Sequence, residues 1–231
     1  MDKTIHDAKA VFFDWDGTLV DSFLFLHKAH NYVRGVLGIE LFSVEEFSGY
    51  FGQPREKLYT KLYGDKREEA KKHFEAFVYE NHAKELKPID GAKEVLDWFK
   101  DKNIPCAIVT NKKAELVKAE ISAFGWDDYF ITIVGAGEAP EDKPSAAPLL
   151  LAIERSQLDL KLEDIWYVGD TDNDLGCSNK AGTKTLFIAD NELYSRVSGN
   201  YIIDLHVPSV ESFYDLLLQN DRNTLKANTG G

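Results

Sequence analysis

The sequence predicts an α/β protein, with a doubly wound, Rossmann-like parallel sheet as its core and an inserted α-helical cap. Short apolar runs alternate with helical patterns over most of the chain, while residues 21–87 show helical patterns alone. Runs this short suit buried strands of a parallel sheet that helices cover on both faces. The predicted strands are Ala10–Phe13, Cys106–Thr110, Tyr129–Val134, Ile165–Gly169 and Lys184–Ala189.

The segments between these strands have the ends expected of helices. Residues 90–102 begin with acidic and end with basic side chains, an order that suits the helix dipole. Residues 112–124 stop at Gly125, a residue type that ends helices readily. Pro144 predicts another helix start. This alternation of strand and helix is typical of an α/β sheet.

The helical stretch sets the domain boundaries. It follows the first strand directly and ends at Pro88, which cannot continue a helix. We therefore expect a core of residues 1–20 and 88–220 and a helical cap of residues 21–87. Residues 221–231 are polar and end in two glycines, which predicts a flexible tail.

Composition restricts the function classes. The hydrophobic fraction of 44% and charged fraction of 29% are those of a soluble globular protein. A formal net charge of -12 argues against nucleic-acid and membrane-surface partners, which require a basic face. No apolar run approaches the ~20 residues of a membrane span, and the charged start lacks a signal-peptide pattern. Cys106 and Cys177 are far apart and lack ligand-like spacing, so we expect reduced thiols and a cytoplasmic location. No stretch beyond the core and cap indicates an assembly element, so we expect a monomer.

Acidic residues follow two of the predicted strands. Asp14 and Asp16 come after the first strand, and Asp170 and Asp174 come after a later one. Carboxylates this close raise one another's pKa and are costly to bury unless a cation lies among them. Hard oxygen ligands from two strand ends suit Mg²⁺.

Other strand ends carry groups that bind anions. Thr110 and Asn111 follow the second strand, and Lys143 precedes Pro144. A hydroxyl, backbone N–H groups and a lysine can together hold phosphate oxygens. The sequence thus predicts a phosphate held against a metal ion.

The four segments resemble, in order, the motifs of the haloacid dehalogenase superfamily. They are "DWDGT" from Asp14, "VTN" around Thr110, the lysine of "EDKP", and "GDTDND" around Asp170. Each follows a predicted strand, and the resemblance covers almost the whole chain. The helical insertion after the first motif is similar to the cap of phosphoglycolate phosphatase-like and β-phosphoglucomutase-like members.

The resemblance implies a role for each matching residue. Asp14 would be the nucleophile that becomes an aspartyl-phosphate, and Asp16 the general acid and base. Thr110 and Lys143 would complete the catalytic set by contacting phosphoryl oxygens. Substrate binding would involve Asn111 and Gly17.

The metal site and the cap also have implied residues. Mg²⁺ would be held by Asp14, the backbone carbonyl of Asp16 and Asp170, while Asp174 would support its waters or orient Lys143. Arg55 lies in a Gly-rich cap segment that resembles a specificity loop, and it would bind the far end of the substrate, with Arg34 and Lys57 as weaker candidates. The sequence equally allows Arg55 to be an exposed arginine. His27, His30 and Trp15 are interpreted as packing or surface residues.

The function implied is a Mg²⁺-dependent phosphatase acting on a small phosphorylated metabolite, with phosphoglycolate as the first candidate. A 2-haloacid dehalogenase is disfavoured because it lacks an acid at the place of Asp16. A β-phosphoglucomutase-like sugar phosphomutase stays open, although Leu26 stands where that branch has a histidine and His27 is one place off. A non-catalytic binding module is the remaining alternative.

Overall fold

The structure, a computed structural model, describes residues 4–50 and 55–229, and side chains within 4–50 and 57–219. The chain divides into two compact units. The first comprises Met1–Val20 and Pro88–Gly231, and the second comprises Asp21–Lys87. We call them the core unit and the helical unit.

Eight strands and ten α-helices occur among the described residues. The strands are β1 (Ala10–Phe13), β2 (Val20–Asp21), β3 (Lys87–Pro88), β4 (Cys106–Val109), β5 (Phe130–Val134), β6 (Ile165–Gly169), β7 (Lys184–Ile188) and β8 (Leu205–Val207). The helices are α1 (Phe23–Val36), α2 (Val44–Ser48), α3 (Arg55–Tyr63), α4 (Arg67–Glu85), α5 (Ala92–Asp101), α6 (Ala114–Phe124), α7 (Ala147–Ser156), α8 (Asp172–Ala181), α9 (Asn191–Val197) and α10 (Val210–Thr229).

The core unit contains a parallel sheet of six strands in the order β5-β4-β1-β6-β7-β8. The predicted fold class is therefore confirmed. All residues of β1, β4 and β6 are buried, which explains their continuous apolar sequences. Sequence analysis missed β8, a three-residue edge strand, and the two-residue strands β2 and β3, which form a separate small sheet.

Helix ends agree with the sequence in one place and differ in another. Gly125 ends α6 in the left-handed conformation, as its position predicts. The helix expected at Pro144 begins three residues later, as α7. The backbone of α10 also stays helical through Thr229, within the segment for which the sequence predicts a flexible tail, and that tail stays a prediction. The segment has no proline or glycine before Gly230, so nothing in it breaks a helix already started.

The helical unit consists of α1 to α4 and has an aromatic interior. Its buried cluster includes Val33, Tyr59 and Tyr63. His30 is buried there as well, with Nδ1 2.7 Å from the Tyr63 hydroxyl and its ring stacked on the Tyr63 ring. The interpretation of His30 as a packing residue is confirmed.

Both cysteines, Cys106 and Cys177, are buried and free. Within the described part of the chain, we find no helix with the length and apolar character that crossing a bilayer requires.

Candidate active site

Three neighbouring strands bring polar residues to one edge of the sheet. β1 lies between β4 and β6, and its last residue is level with residues of both neighbours. Asp14, Thr110 and Asp170 directly follow the last residues of β1, β4 and β6. Because these strands are parallel, all three lie at the carboxyl edge of the sheet. Open α/β sheets bind ligands at this edge.

Asp14 is a buried carboxylate, with an exposed fraction of 6%. Its backbone N–H donates to the carbonyl of Val168 (2.9 Å), which fixes its place beside β6. Its Oδ1 atom lies 2.7 Å from Nζ of Lys143. No described residue gives this oxygen a well-aligned hydrogen bond, so its lone pairs remain available to a ligand.

Lys143 is buried among oxygen atoms. Its Nζ donates to Oδ1 of Asp174 (2.7 Å) and to the hydroxyl of Tyr167 (3.0 Å), besides pairing with Asp14. Its backbone is held by the side chain of Asn111, which accepts from the Lys143 N–H (2.9 Å) and donates to its carbonyl (3.0 Å). Asn111 therefore fixes the loop that carries the lysine, a contact that its predicted part in substrate binding did not include.

Asp174 is fully engaged by hydrogen bonds. Its Oδ2 accepts from the backbone N–H (2.9 Å) and the hydroxyl (2.6 Å) of Thr171 at the start of α8. Its Oδ1 faces Lys143 and the Tyr167 hydroxyl (3.0 Å). Of the two roles that the sequence allowed Asp174, these contacts favour the orientation of Lys143. Tyr167 was not predicted from the sequence, because it lies within the apolar run of β6 and resembles a packing residue there.

Burial and mutual repulsion shift the pKa values in this cluster. Desolvation and the charge of Asp174 raise the pKa of Asp14 to about 7, although Lys143 opposes the shift. Desolvation, with Asp174 and Asp14, also raises the pKa of Asp170 well above its usual value. Burial would lower the pKa of Lys143, but the carboxylates of Asp14 and Asp174 outweigh it and raise that pKa. The single positive charge of Lys143 therefore does not balance the three carboxyl groups of the cluster.

The carboxylates are placed as a divalent cation requires. Asp14, Asp170 and Asp174 each offer an oxygen, and these oxygens lie within 4.8 Å of one another. The hydroxyl of Thr18 donates to Oδ1 of Asp170 (2.7 Å) and orients it. Oxygen donors and unbalanced negative charge fit Mg²⁺. Because Asp174 is already engaged, Asp14 and Asp170 are the ligands that the geometry favours; the backbone carbonyl of Asp16 stays a prediction.

Gly17 makes room for Asp170. Its φ of +87° suits glycine, and a Cβ atom there would lie 2.2 Å from Oδ2 of Asp170. Any side chain at this position would displace the carboxylate. The predicted part of Gly17 in substrate binding stays a prediction, but the structure gives the residue a second reason to be glycine.

Asp16, the second carboxylate after β1, pairs with a different lysine from Asp14. Its Oδ1 accepts from Nζ of Lys112 (3.0 Å), and Lys112 also pairs with Glu120 of α6 (2.7 Å). The indole N–H of Trp15 donates to the same Glu120 carboxylate (2.5 Å). Trp15 is fully buried and stacked on Phe124, so its packing role is confirmed and a hydrogen bond is added to it.

Thr110 and Lys112 are joined through the turn after β4. The buried hydroxyl of Thr110 accepts from the backbone N–H of Lys112 (3.2 Å), and its own N–H donates to the Val134 carbonyl (3.0 Å). The turn thereby holds Thr110 and the start of the Lys112 side chain at the same sheet edge as Asp14.

Comparison with known proteins agrees with this geometry. The family model for haloacid dehalogenase-like hydrolases matches residues 11–188, the span that contains every motif of the site. The chain belongs to the haloacid dehalogenase-like hydrolase family. The family resemblance of the sequence and its assignment as a hydrolase are confirmed.

Similar proteins extend over most of the chain. A phosphoglycolate phosphatase of Aquifex aeolicus is 34% identical over 77% of this chain and 83% of its own. A pyrophosphatase, PpaX of Bacillus velezensis, is 28% identical over 78% of this chain and 82% of its own. A solved haloacid dehalogenase-like hydrolase from Streptococcus pneumoniae has a TM-score of 0.78 at 23% identity, covering 92% of this chain and 99% of its own. That structure supports the fold alone.

The substrate-binding candidates that the sequence predicts in the helical unit gain no support from their described contacts. The side chain of Arg55, at the start of α3, lies outside the described residues. The Arg34 guanidinium donates to the Glu40 carbonyl and lies 3.7 Å from the centre of the Phe42 ring, so it is engaged within its own unit. Lys57 is exposed, and Nε2 of His27 lies 2.9 Å from the Phe42 carbonyl.

Sequence analysis missed Lys112 and Glu120 for different reasons. Lys112 directly follows the "VTN" motif but resembles any surface lysine. Glu120 stands among the buried apolar residues of α6, next to Val117 and Ile121. A charged residue within an apolar helix face is the signal that could have identified it.

Proposed function

We propose that this hydrolase is a Mg²⁺-dependent phosphatase that hydrolyses a small phosphorylated metabolite through an aspartyl-phosphate on Asp14. The observation that carries the proposal is the Asp14 carboxylate, buried at the sheet edge between Lys143 and Asp170 and holding an oxygen without a well-aligned hydrogen bond. A desolvated, fixed carboxylate with a cation beside it suits nucleophilic attack on phosphorus.

The first half-reaction would transfer the phosphoryl group to the enzyme. An oxygen of Asp14 forms a bond to phosphorus while the bond to the ester oxygen breaks. Asp16 gives its proton to the departing oxygen, which leaves as an alcohol. Lys143 and the hydroxyl of Thr110 stabilise the phosphoryl oxygens.

The second half-reaction would restore the enzyme. Asp16, now a carboxylate, takes a proton from water, and the water oxygen bonds to phosphorus as the bond to Asp14 breaks. Inorganic phosphate leaves. A bound Mg²⁺, held by Asp14 and Asp170, would supply charge that neutralises the phosphoryl oxygens.

Phosphoglycolate is the first substrate that we propose, because several relatives carry that name. Pyrophosphate is the second, since the PpaX relatives are named pyrophosphatases. We further propose that the protein is a monomer and, because its two cysteines are free, that it resides in the cytoplasm.

The test is phosphate release from phosphoglycolate, pyrophosphate, sugar phosphates and nucleoside monophosphates, with Mg²⁺ and with EDTA. We expect Mg²⁺-dependent turnover, and a loss of at least about 10⁴-fold in Asp14→Asn, because no other group replaces the nucleophile. Asp97→Asn is the matched control, since Asp97 pairs with Lys93 on the exposed side of α5. It should retain wild-type activity.

Four results would contradict the proposal. Release without Mg²⁺, or unchanged in Asp14→Asn, would exclude this mechanism. Isomerisation of a sugar phosphate that depends on its bisphosphate, with little phosphate released, would instead favour the mutase. Magnesium binding without turnover of any ester would favour a binding module.

A further inference from the structure

A buried ion-pair cluster at the edge of the proposed site contains Asp16 together with residues that have no part in the mechanism above. It consists of Lys112, Glu120 and Asp16, joined by the indole N–H of Trp15. Glu120 is fully buried, with an exposed fraction of 0%. Its two carboxylate oxygens lie 2.7 and 2.8 Å from Nζ of Lys112.

The Lys112 ammonium is held in one place. An ammonium has three donors, and here they meet the Glu120 carboxylate on one side and Oδ1 of Asp16 on the other. Glu120 is itself fixed by the 2.5 Å bond from Trp15 and by its position in the middle of α6. The chain of contacts therefore runs from a rigid helix to a carboxylate at the sheet edge.

Asp16 is otherwise weakly restrained. Its side chain is 23% exposed, and Lys112 is the group that holds its carboxylate among the described residues. A side chain of this kind can rotate unless a partner fixes it. Proton transfer requires the acid within hydrogen-bond reach of the departing oxygen, so a loosely held carboxyl group would transfer its proton poorly.

Stability alone does not explain the cluster. A buried ion pair is often replaced by apolar residues of similar volume without loss of stability. The neighbours of Glu120 on α6, Val117 and Ile121, are apolar and buried, so an apolar residue would suit this position. A charged pair that reaches from this helix to Asp16 is better explained by what it does to Asp16.

We propose that Lys112, anchored by Glu120 and Trp15, is a positioning residue that orients the Asp16 carboxyl group for proton transfer to the leaving oxygen. This inference rests on the proposed function, in which Asp16 is the general acid. Lys112 acts through Asp16 and does not contact the reacting phosphorus.

The inference makes a specific kinetic prediction. An ester whose leaving oxygen is very basic, such as an alkyl phosphate, depends on the acid, whereas 2,4-dinitrophenyl phosphate depends on it little. The quantity to measure is kcat/KM, because it reports the steps up to transfer to Asp14 and excludes the later hydrolysis. Loss of Lys112 should steepen the dependence of kcat/KM on the pKa of the leaving alcohol.

The experiment compares wild type, Lys112→Met and Asp16→Asn on a series of aryl and alkyl phosphates. For Lys112→Met we expect kcat/KM to fall about 30-fold with alkyl phosphates and less than about threefold with 2,4-dinitrophenyl phosphate. The larger value is a part of the 10²–10⁴-fold that general acid catalysis contributes. Adding Lys112→Met to Asp16→Asn should change kcat/KM by less than about twofold, because the lysine acts through that carboxylate.

Two further variants separate positioning from folding. Lys112→Met leaves Glu120 buried without a cation, so Lys112→Met/Glu120→Gln removes both charges and keeps an acceptor for Trp15. It should show the same steeper slope. Lys184→Met is the control, because Lys184 forms a partly buried pair with Asp204 (2.6 Å) at the first residue of β7, two strands from β1 and away from the carboxyl edge of the sheet. Its slope should equal that of wild type.

The outcomes are distinct. The inference would be overturned if kcat/KM depended on the pKa of the leaving alcohol with the same slope in wild type and both Lys112 variants, whether or not kcat/KM fell uniformly. The proposed phosphatase function would then still stand. Absence of phosphate release by the wild-type protein from every ester would overturn the proposed function and the inference together.

Discussion

The two aspartates that follow β1 stand two residues apart and have different surroundings. Asp14 is buried and pairs with Lys143, which Asp174 and Tyr167 surround. Asp16 is partly exposed and pairs with Lys112, whose second partner is a glutamate of α6. Lys143 is shared among closely spaced carboxylates, whereas Lys112 joins Glu120 of α6 to the partly exposed carboxylate of Asp16.

The difference shows how one strand end can supply two kinds of carboxylate. Asp14 is desolvated and fixed, which suits a nucleophile. Asp16 keeps access to solvent, which suits a group that must give a proton to one molecule and take one from another. Both residues lie between the last residue of β1 and Gly17, whose φ is positive.

After loss of the Asp14 nucleophile itself, the largest expected effect comes from removing Lys143, the lysine that pairs with Asp14. Lys143→Met should lower kcat by at least about 10³-fold, because a cation is lost from the phosphoryl site. It should also lower the free energy of unfolding by about 3 kcal/mol, since buried carboxylates lose their partner. Kinetics and urea unfolding measure the two effects, with Lys184→Met as control. If Lys143→Met kept wild-type activity, the cluster would be structural only.

A smaller effect should follow from crowding Asp170. Gly17→Ala places a Cβ atom where Oδ2 of Asp170 now lies, so the carboxylate must move. We expect the Mg²⁺ concentration needed for half-maximal activity to rise about tenfold or more, in the range that metal-orienting groups contribute. Gly137→Ala is the matched control, because Gly137 has a similar φ of +76° and open space around its Cβ position.

Both alanine variants carry the cost of a left-handed backbone, about 1 kcal/mol. A change in Mg²⁺ dependence in Gly17→Ala alone therefore reports on Asp170. Equal changes in both variants would mean that backbone strain, and not the carboxylate, is responsible.

The smallest effect is on the pH dependence of stability. The raised pKa of Asp14, about 7, means that the folded protein holds a proton between about pH 4 and 7 that the unfolded chain has released. Its contribution is thus lost as pH rises through that range, by up to about 1.4 kcal/mol per pH unit. Without Mg²⁺, Asp14→Asn should gain stability relative to wild type between pH 4.5 and pH 7, by about 2 kcal/mol.

Urea unfolding at several pH values, in EDTA and in Mg²⁺, measures this contribution. Because Mg²⁺ binds the carboxylate form, it should stabilise wild type more at pH 7.5 than at pH 5.5. Asp97→Asn is the control and should show no such gain between pH 4.5 and pH 7: desolvation of Asp97 is outweighed by hydrogen bonds from Lys93 and Tyr129, which lower its pKa, so its pH dependence lies below this range. If the free energy of unfolding changed equally in wild type and Asp14→Asn between pH 4.5 and pH 7 in EDTA, the raised pKa of Asp14 would be contradicted.

The sequence by itself determined the fold class, five of the six strands of the main sheet and the residues of the four motifs. These follow from local information: apolar runs set the strands, and the motif residues lie at strand ends, where the chain's own order places them. Gly125 ended its helix where expected for the same reason. The extent of α10 was not predicted, because helix continuation depends on an already formed helix, not on local polarity.

Only the tertiary structure decided which partner each acid meets. Tyr167 lies in an apolar strand and reaches the site because β6 pairs with β1. Glu120 lies in an apolar helix face and reaches the site through its contacts with Trp15 and Lys112. Hydrogen bonds and ion pairs join residues far apart in sequence, such as Trp15 and Glu120, so no local pattern contains them. Their strength also depends on burial, which the folded chain alone creates.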